Sequence, residues 1–258
     1  KVAPRVLTDL GAEIIPIGCS PNGRNINLRC GSMAPELLQL TVSGVGADVG
    51  IALDGDGDRL VMVDHLGRLV DGDRLLYVIA RDRHSRGELK GPVVGTVMSN
   101  LGLEQSLQAD GIPFLRAAVG DRYVLAMLRE HGGVLGGETS GHLLCLDRTT
   151  TGDGLVSALQ VLAVMKRTGR PLAELTAGMP QFPQVMVNVR VRERIDPRQS
   201  PAIQAAVRRV EAALGRTGRV VLRASGTEPL IRVMVEGEDE AVVTRHANEL
   251  AETVRQSV

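Results

Sequence analysis

A chain of 258 residues with 43% hydrophobic and 23% charged residues has the balance of an ordinary globular protein of one large or two to three small domains. Its formal net charge is zero, which offers no electrostatic footprint of a nucleic-acid binder, and no apolar run approaches the roughly 20 residues that span a membrane. Two Phe, two Tyr and no Trp count against recognition by aromatic stacking, so sugar contacts should be polar.

The first ten residues, K-V-A-P-R-V-L-T-D-L, carry charge and do not read as a secretory signal; with a glycine stop at Gly11 they read as a helix. A strand is expected at 13–17, then a polar loop, P-N-G-R-N-I-N, and a helix over 34–42. Residues 49–53 read as a buried strand and 60–64 as a second, with a turn at Gly67 and a helix over 73–83. Residues 84–91 are a polar connector. Strand, helix, strand and helix follow at 93–98, 101–109, 112–118 and 123–130, then short strands at 134–137 and 143–146 and a helix over 153–167. Such alternation implies parallel or mixed sheets with helices on their faces. Pro180 and Pro183 mark a boundary, beyond which strands at 185–191, 220–222 and 230–235 and helices at 202–214 and 240–254 form a smaller α+β domain. The expected division is 1–71, 72–182 and 183–258. The alternation lacks a first strand, so the chain is expected to be a piece cut within a domain. Cys19, Cys30 and Cys145 are odd in number and lack C-x-x-C spacing, which suits reduced thiols in a cytoplasmic protein.

The stretch that dominates the sequence is A-D-V-G-I-A-L-D-G-D-G-D-R, from Ala47 to Arg59. Asp54, Asp56 and Asp58 follow a strand at alternate positions, separated by Gly55 and Gly57. Three carboxylates so close repel one another and need a counter-charge; hard oxygen ligands suit Mg²⁺ or Ca²⁺ rather than Zn²⁺. Arg59 adds a fixed cation suited to phosphate oxygens. A calcium loop of the EF-hand type also opens D-x-D-x-D, but would need Gly and Glu where Arg59 and His65 stand.

Two later stretches carry further chemistry. G-G-E-T-S-G-H lies between two short strands and so forms a turn or loop; Glu138, Ser140 and His142 alternate along it, and in an extended segment all three would point to one side, a set suited to reading ring hydroxyls. In R-A-S-G-T-E-P-L-I-R, Arg223, the hydroxyls of Ser225 and Thr227 and the backbone at Gly226 are suited to an anion, with Arg232 a less certain contact. Gly120-Asp121-Arg122 reads first as a helix start, as does T-T-T-G-D-G at 149–154.

D-G-D-G-D-R, G-G-E-T-S-G-H and R-A-S-G-T-E-P occur here in the order, and nearly in the form, of the metal, sugar and phosphate loops of the α-D-phosphohexomutase superfamily. The resemblance runs from Val2 to the C-terminus. It implies two mixed-sheet α/β domains followed by a smaller α+β domain, with Mg²⁺ on Asp54, Asp56 and Asp58. Glu138 and Ser140 would contact the sugar, Arg223, Ser225, Gly226 and Thr227 would hold phosphate, and Arg59 and His142 would stand near the transferred group. The loops are nearest the hexosamine-phosphate branch. That implies interconversion of glucosamine 6-phosphate and glucosamine 1-phosphate, through a phosphoserine and a bisphosphate, on the route to bacterial cell-wall precursors. Glucose or mannose phosphates, or a non-catalytic sugar-phosphate-binding module, are the alternatives. The superfamily's serine motif, T-x-S-H-N-P, does not occur here, so a missing N-terminal domain is an expected partner and the chain alone is expected to be inactive. The oligomeric state is left open, a homodimer included.

Overall fold

The computed structural model describes residues 2–191, 196–225 and 228–257. They form two compact units, one running up to Ser99 and including Leu103–Met179, the other made of Asn100–Gly102 and the residues from Pro180 onward.

The first unit opens with helices α1 (Val2–Asp9) and α2 (Glu36–Val45) and an antiparallel meander, β1 (Val49–Leu53), β2 (Leu60–Asp64) and β3 (Leu69–Val70). Helix α3 (Gly72–Ser85) follows, capped by Asp71, whose side chain accepts the Arg74 N–H at 3.0 Å. Then come β4 (Val93–Thr96), α4 (Leu101–Ala109), β5 (Phe114–Ala117), α5 (Asp121–His131), β6 (Leu135–Gly137) and β7 (Leu143–Cys145), and helices α6 (Gly154–Thr168) and α7 (Leu172–Thr176). The second sheet has the order β5-β4-β6-β7; β4 pairs in parallel with β5 and β6, and β6–β7 is an antiparallel hairpin.

One core ties these pieces together. Leu60 and Met62 of the meander are fully buried with Leu75 and Ile79 of α3, Leu135 and Leu143 of the second sheet, and Val161 of α6. Each such side chain contributes about 1.5–3 kcal/mol by leaving water. Residues on both sides of position 71 share this core, because β2 and β3 bury their apolar face against α3.

The second unit is a sheet of order β8-β10-β9, antiparallel throughout, built from β8 (Gln184–Arg190), β9 (Gly218–Ala224) and β10 (Leu230–Gly237). Helices α8 (Pro201–Leu214) and α9 (Glu240–Gln256), capped by Ser200 and Asp239, bury Ile203, Val210, Val243 and Leu250 against Ile231 and Val233 of the central strand.

Three expectations need correction. Residues 13–17 form no strand; the segment is irregular and Ile15 is 54% exposed, since a short apolar run makes a strand only where another strand pairs with it. β3 and α7 are too short to leave a periodic signal and went unforeseen. Helix α3 continues to Ser85, past the expected start of the connector, with Arg83 buried and paired to Asp147 at 2.9 Å.

Glu236 is the polar pin of the second unit. Fully buried, it accepts the Leu101 N–H at 2.7 Å and the Gln184 amide at 2.9 Å through Oε1, while Oε2 pairs with Arg219. Glu236→Ala removes the carboxylate that neutralises Arg219 and should cost about 3–5 kcal/mol, read as a lower urea midpoint at unchanged slope.

Candidate functional site

The aspartates lie on the loop that turns β1 into β2. The pairing Leu53↔Leu60 and an Asp54 N–H to Arg59 carbonyl bond of 3.3 Å close the loop's base. Asp54 then organises it from within: Oδ1 accepts the backbone N–H of Gly57 at 2.9 Å and of Arg59 at 3.2 Å, and Gly57 takes a φ of 76°, where glycine is favoured. The chain curls as a result, and oxygens of Asp54, Asp56 and Asp58 all come within 4.8 Å of one another. Asp58 Oδ2 meets His142 Nδ1 at 3.0 Å, whereas Asp58 Oδ1 is buried without a hydrogen-bond partner. An orphaned carboxylate oxygen in an all-oxygen cluster fits a hard divalent cation.

As expected of a stretch between two short strands, G-G-E-T-S-G-H forms the tip of the β6–β7 hairpin. The Glu138 N–H bonds to the His142 carbonyl at 3.0 Å, and the Gly141 N–H to the Glu138 carbonyl at 2.9 Å. Gly141, at a φ of 93°, turns the chain between Ser140 and His142, so the alternation of Glu138, Ser140 and His142 does not run along an extended strand. Ser140 is exposed at the tip. Glu138 is half-buried, and its Oε1 accepts the Gly120 N–H at 2.9 Å, which places the Gly120 turn beside it. His142 is only 6% exposed and faces the aspartate loop. The tip is anchored on the start of α3, where the Thr139 hydroxyl donates to Asp73 at 2.8 Å and the Gly72 N–H bonds to the Thr139 carbonyl at 3.1 Å.

The two hairpins are fused edge to edge. The Leu60 N–H bonds to the Gly141 carbonyl at 3.0 Å, and Arg59 and His142 form an antiparallel bridge. Sequence reading also missed that the Gly154 N–H, at the start of α6, donates to the Gly57 carbonyl at 2.9 Å. Asp153 caps α6 as expected, accepting the Val156 N–H at 2.9 Å, but the same turn grips the aspartate loop. Gly120, not Asp121, holds the cap position of α5, and Arg122 lies over the Tyr123 ring at 4.6 Å from its centroid.

In the second unit Arg223 on β9 stands directly opposite Arg232 on β10. The Nε of each is buried without a hydrogen-bond partner, and burial, with the neighbouring Arg232 charge, pushes the Arg223 pKa down. Two guanidinium groups held together in this way suit an anion. Ser225 is buried nearby, its Oγ accepting the Glu228 N–H at 3.3 Å; the expected contacts Gly226 and Thr227 lie outside the described residues. Arg232 is thus placed as firmly as Arg223, a pairing that only strand register reveals.

Family models for phosphoglucomutase/phosphomannomutase match the chain, the α/β/α domain III over residues 71–182 and the C-terminal domain over residues 186–253. The chain belongs to this family. Among curated relatives it is 59% identical over 256 residues to the phosphoglucosamine mutase of Alkalilimnicola ehrlichii and 60% identical over 253 residues to that of Methylococcus capsulatus. These alignments take in 99% and 98% of the chain but 57% of each relative, so the chain spans little more than half their length. Solved structures share the fold. A phosphoglucomutase/phosphomannomutase family protein from Burkholderia thailandensis superposes with a TM-score of 0.79 at 24% identity, over 99% of this chain and 57% of that one. The N-acetylphosphoglucosamine mutase of Aspergillus fumigatus, solved with GlcNAc-6P and magnesium, superposes with a TM-score of 0.74 at 24% identity, over 90% and 53%. Among the described residues, no helix is long and apolar enough to cross a membrane.

The arginine pair generates a prediction. Like charges directly opposite on neighbouring strands destabilise by about 0.2–1 kcal/mol, so Arg232→Gln should raise the melting temperature in phosphate-free buffer. Added sulfate should then stabilise the wild type more than the variant, because the variant has lost half of the anion clamp.

Proposed function

We propose that the chain is the C-terminal part of a phosphoglucosamine mutase that interconverts glucosamine 6-phosphate and glucosamine 1-phosphate through a phosphoserine and a bisphosphate intermediate. The observation that carries this reading is the fusion of the D-G-D-G-D-R and G-G-E-T-S-G-H hairpins into one body, through Leu60, Gly141 and the Asp58–His142 contact. Near 60% identity to enzymes of that name supports the choice of hexosamine phosphate over glucose or mannose phosphate.

Phosphoryl transfer asks little covalent chemistry of a protein beyond the nucleophile; it asks for positioning and for charge opposite the transferred oxygens. Asp54, Asp56 and Asp58 would hold Mg²⁺, whose contribution is to neutralise charge on the transferred group. Arg59, exposed beside the cluster, brings a guanidinium to the same oxygens. Ser140 and Glu138 read the ring hydroxyls, Ser140 from the exposed tip and Glu138 through the carboxylate oxygen that Gly120 does not occupy. Arg223 and Arg232 hold the phosphate that is not in transit. His142, buried against Asp58, acts by fixing a metal ligand instead of exchanging a proton with substrate. The nucleophile would come from the part of the longer relatives that this chain does not span, and the product would feed cell-wall precursor synthesis in the cytoplasm.

Binding and turnover separate this reading from a non-catalytic module. The chain alone should bind glucosamine 6-phosphate by titration calorimetry yet show no turnover in a coupled assay, with turnover appearing once the phosphoserine-bearing segment is joined to it. Charge-assisted hydrogen bonds contribute about 1.5–3 kcal/mol each, so Arg223→Ala should weaken binding of inorganic phosphate by about tenfold or more. Glu138→Ala should spare inorganic phosphate and weaken only the sugar phosphate. The reading fails if the chain alone turns over at full rate, if the joined protein stays inactive, or if the two variants exchange their effects.

A further inference from the structure

Gly152 and Gly154 flank the cap of α6, and neither has the positive φ that would require glycine. Space, not conformation, explains them. A Cβ on Gly154 would stand 2.7 Å from the Leu53 side chain, 2.9 Å from the Arg59 carbonyl oxygen and 3.0 Å from that of Gly57. A Cβ on Gly152 would overlap Nε2 and Cε1 of the His142 imidazole. That ring is pressed between Gly152 on one edge and Asp58 on the other, with Nδ1 on Asp58 Oδ2 at 3.0 Å and Nε2 buried without a partner. Gly154 meanwhile holds the loop itself, its N–H on the Gly57 carbonyl at 2.9 Å.

We propose that the T-G-D-G turn is the positioning element of the carboxylate cluster, with Gly152 setting the Asp58 carboxylate through the His142 imidazole. The proposal rests on the reading of Asp54, Asp56 and Asp58 as a divalent-cation site. Asp58 has one oxygen committed to His142 and the other buried and unpartnered, so the direction of the free oxygen follows from where the imidazole sits. Gly152 fixes that place by bare van der Waals contact. Outer partners of metal ligands typically alter affinity by about 10–100-fold when changed.

The test is Mn²⁺ binding to this chain, followed by electron paramagnetic resonance, with circular dichroism as the check on folding. Gly152→Ala and His142→Ala should each weaken Mn²⁺ by about 10–100-fold. Because both act through one imidazole, the double variant should bind no more weakly than His142→Ala alone. His142→Asn keeps an N–H for Asp58 and lacks the far edge of the ring, so it should retain most of the affinity and should tolerate Gly152→Ala. If Gly152→Ala by itself does not fold, the comparison is read in the His142→Asn background. Recovered folding and Mn²⁺ binding there support the proposal, and continued loss overturns it. Wild-type binding that is lost in Asp56→Asn but unchanged in Gly152→Ala overturns the positioning role and leaves the metal site standing. A Gly152→Ala penalty that adds in full to that of His142→Ala overturns it as well. A wild-type chain that takes up no Mn²⁺ at millimolar concentration removes both the metal site and this proposal.

Discussion

Three carboxylates held within 4.8 Å of one another would spread apart on a free loop, so the site depends on what prevents that. The restraint is a set of backbone hydrogen bonds from three separate segments. Asp54 takes the N–H groups of Gly57 and Arg59 inside the loop, Gly154 takes the Gly57 carbonyl from outside, and the Gly141 carbonyl takes the Leu60 N–H at its base. Each bond is modest, about 0.5–1.5 kcal/mol net, but Leu60 is also fully buried in the large core. To release the loop the chain would have to expose that core. Repulsion among the aspartates is therefore balanced by apolar burial elsewhere in the same unit.

The same seam gives the β6–β7 hairpin its place. At Gly141 the two backbones approach so closely that a Cβ there would overlap the Leu60 carbonyl. At the other side of the tip, Gly72 approaches the Glu138 carbonyl and Thr139 is bonded to Asp73 of α3. The tip is consequently clamped at both ends, with Ser140 left exposed between the clamps. A side chain held in this way would lose less entropy on meeting a ligand than one on a loose loop.

Much of this was legible where the signal is local. The alternation of strands and helices, the helix start at T-T-T-G-D-G and the three motif loops all stand in short windows of sequence. What was not legible is pairing at long separation. The Asp58–His142 contact joins residues 84 apart, and no periodicity encodes it. The alternation of Glu138, Ser140 and His142 suggested one extended face, yet Gly141 breaks the strand between them and sends His142 inward. Residues 13–17 show the converse failure, a strand pattern without a neighbouring strand. Arg232 stayed uncertain in sequence because only the β9–β10 register sets it opposite Arg223.

The aspartate loop and the arginine pair are, in physical terms, two versions of one device. In the first unit the fold holds negative charges together, and in the second it holds two positive ones. Either arrangement costs stability in the protein alone, and the cost is met within its own unit by a separate hydrophobic core. A side chain that could relax toward a counter-ion within the protein would reduce the cost and the affinity together. Here Asp58 Oδ1 and the Nε atoms of Arg223 and Arg232 are buried without such partners, which preserves the repulsion. A cation arriving at the first, or an anion at the second, would relieve it. Repulsion of this kind is built in during folding, and the rigidity that prevents relaxation is what keeps it available to a counter-ion.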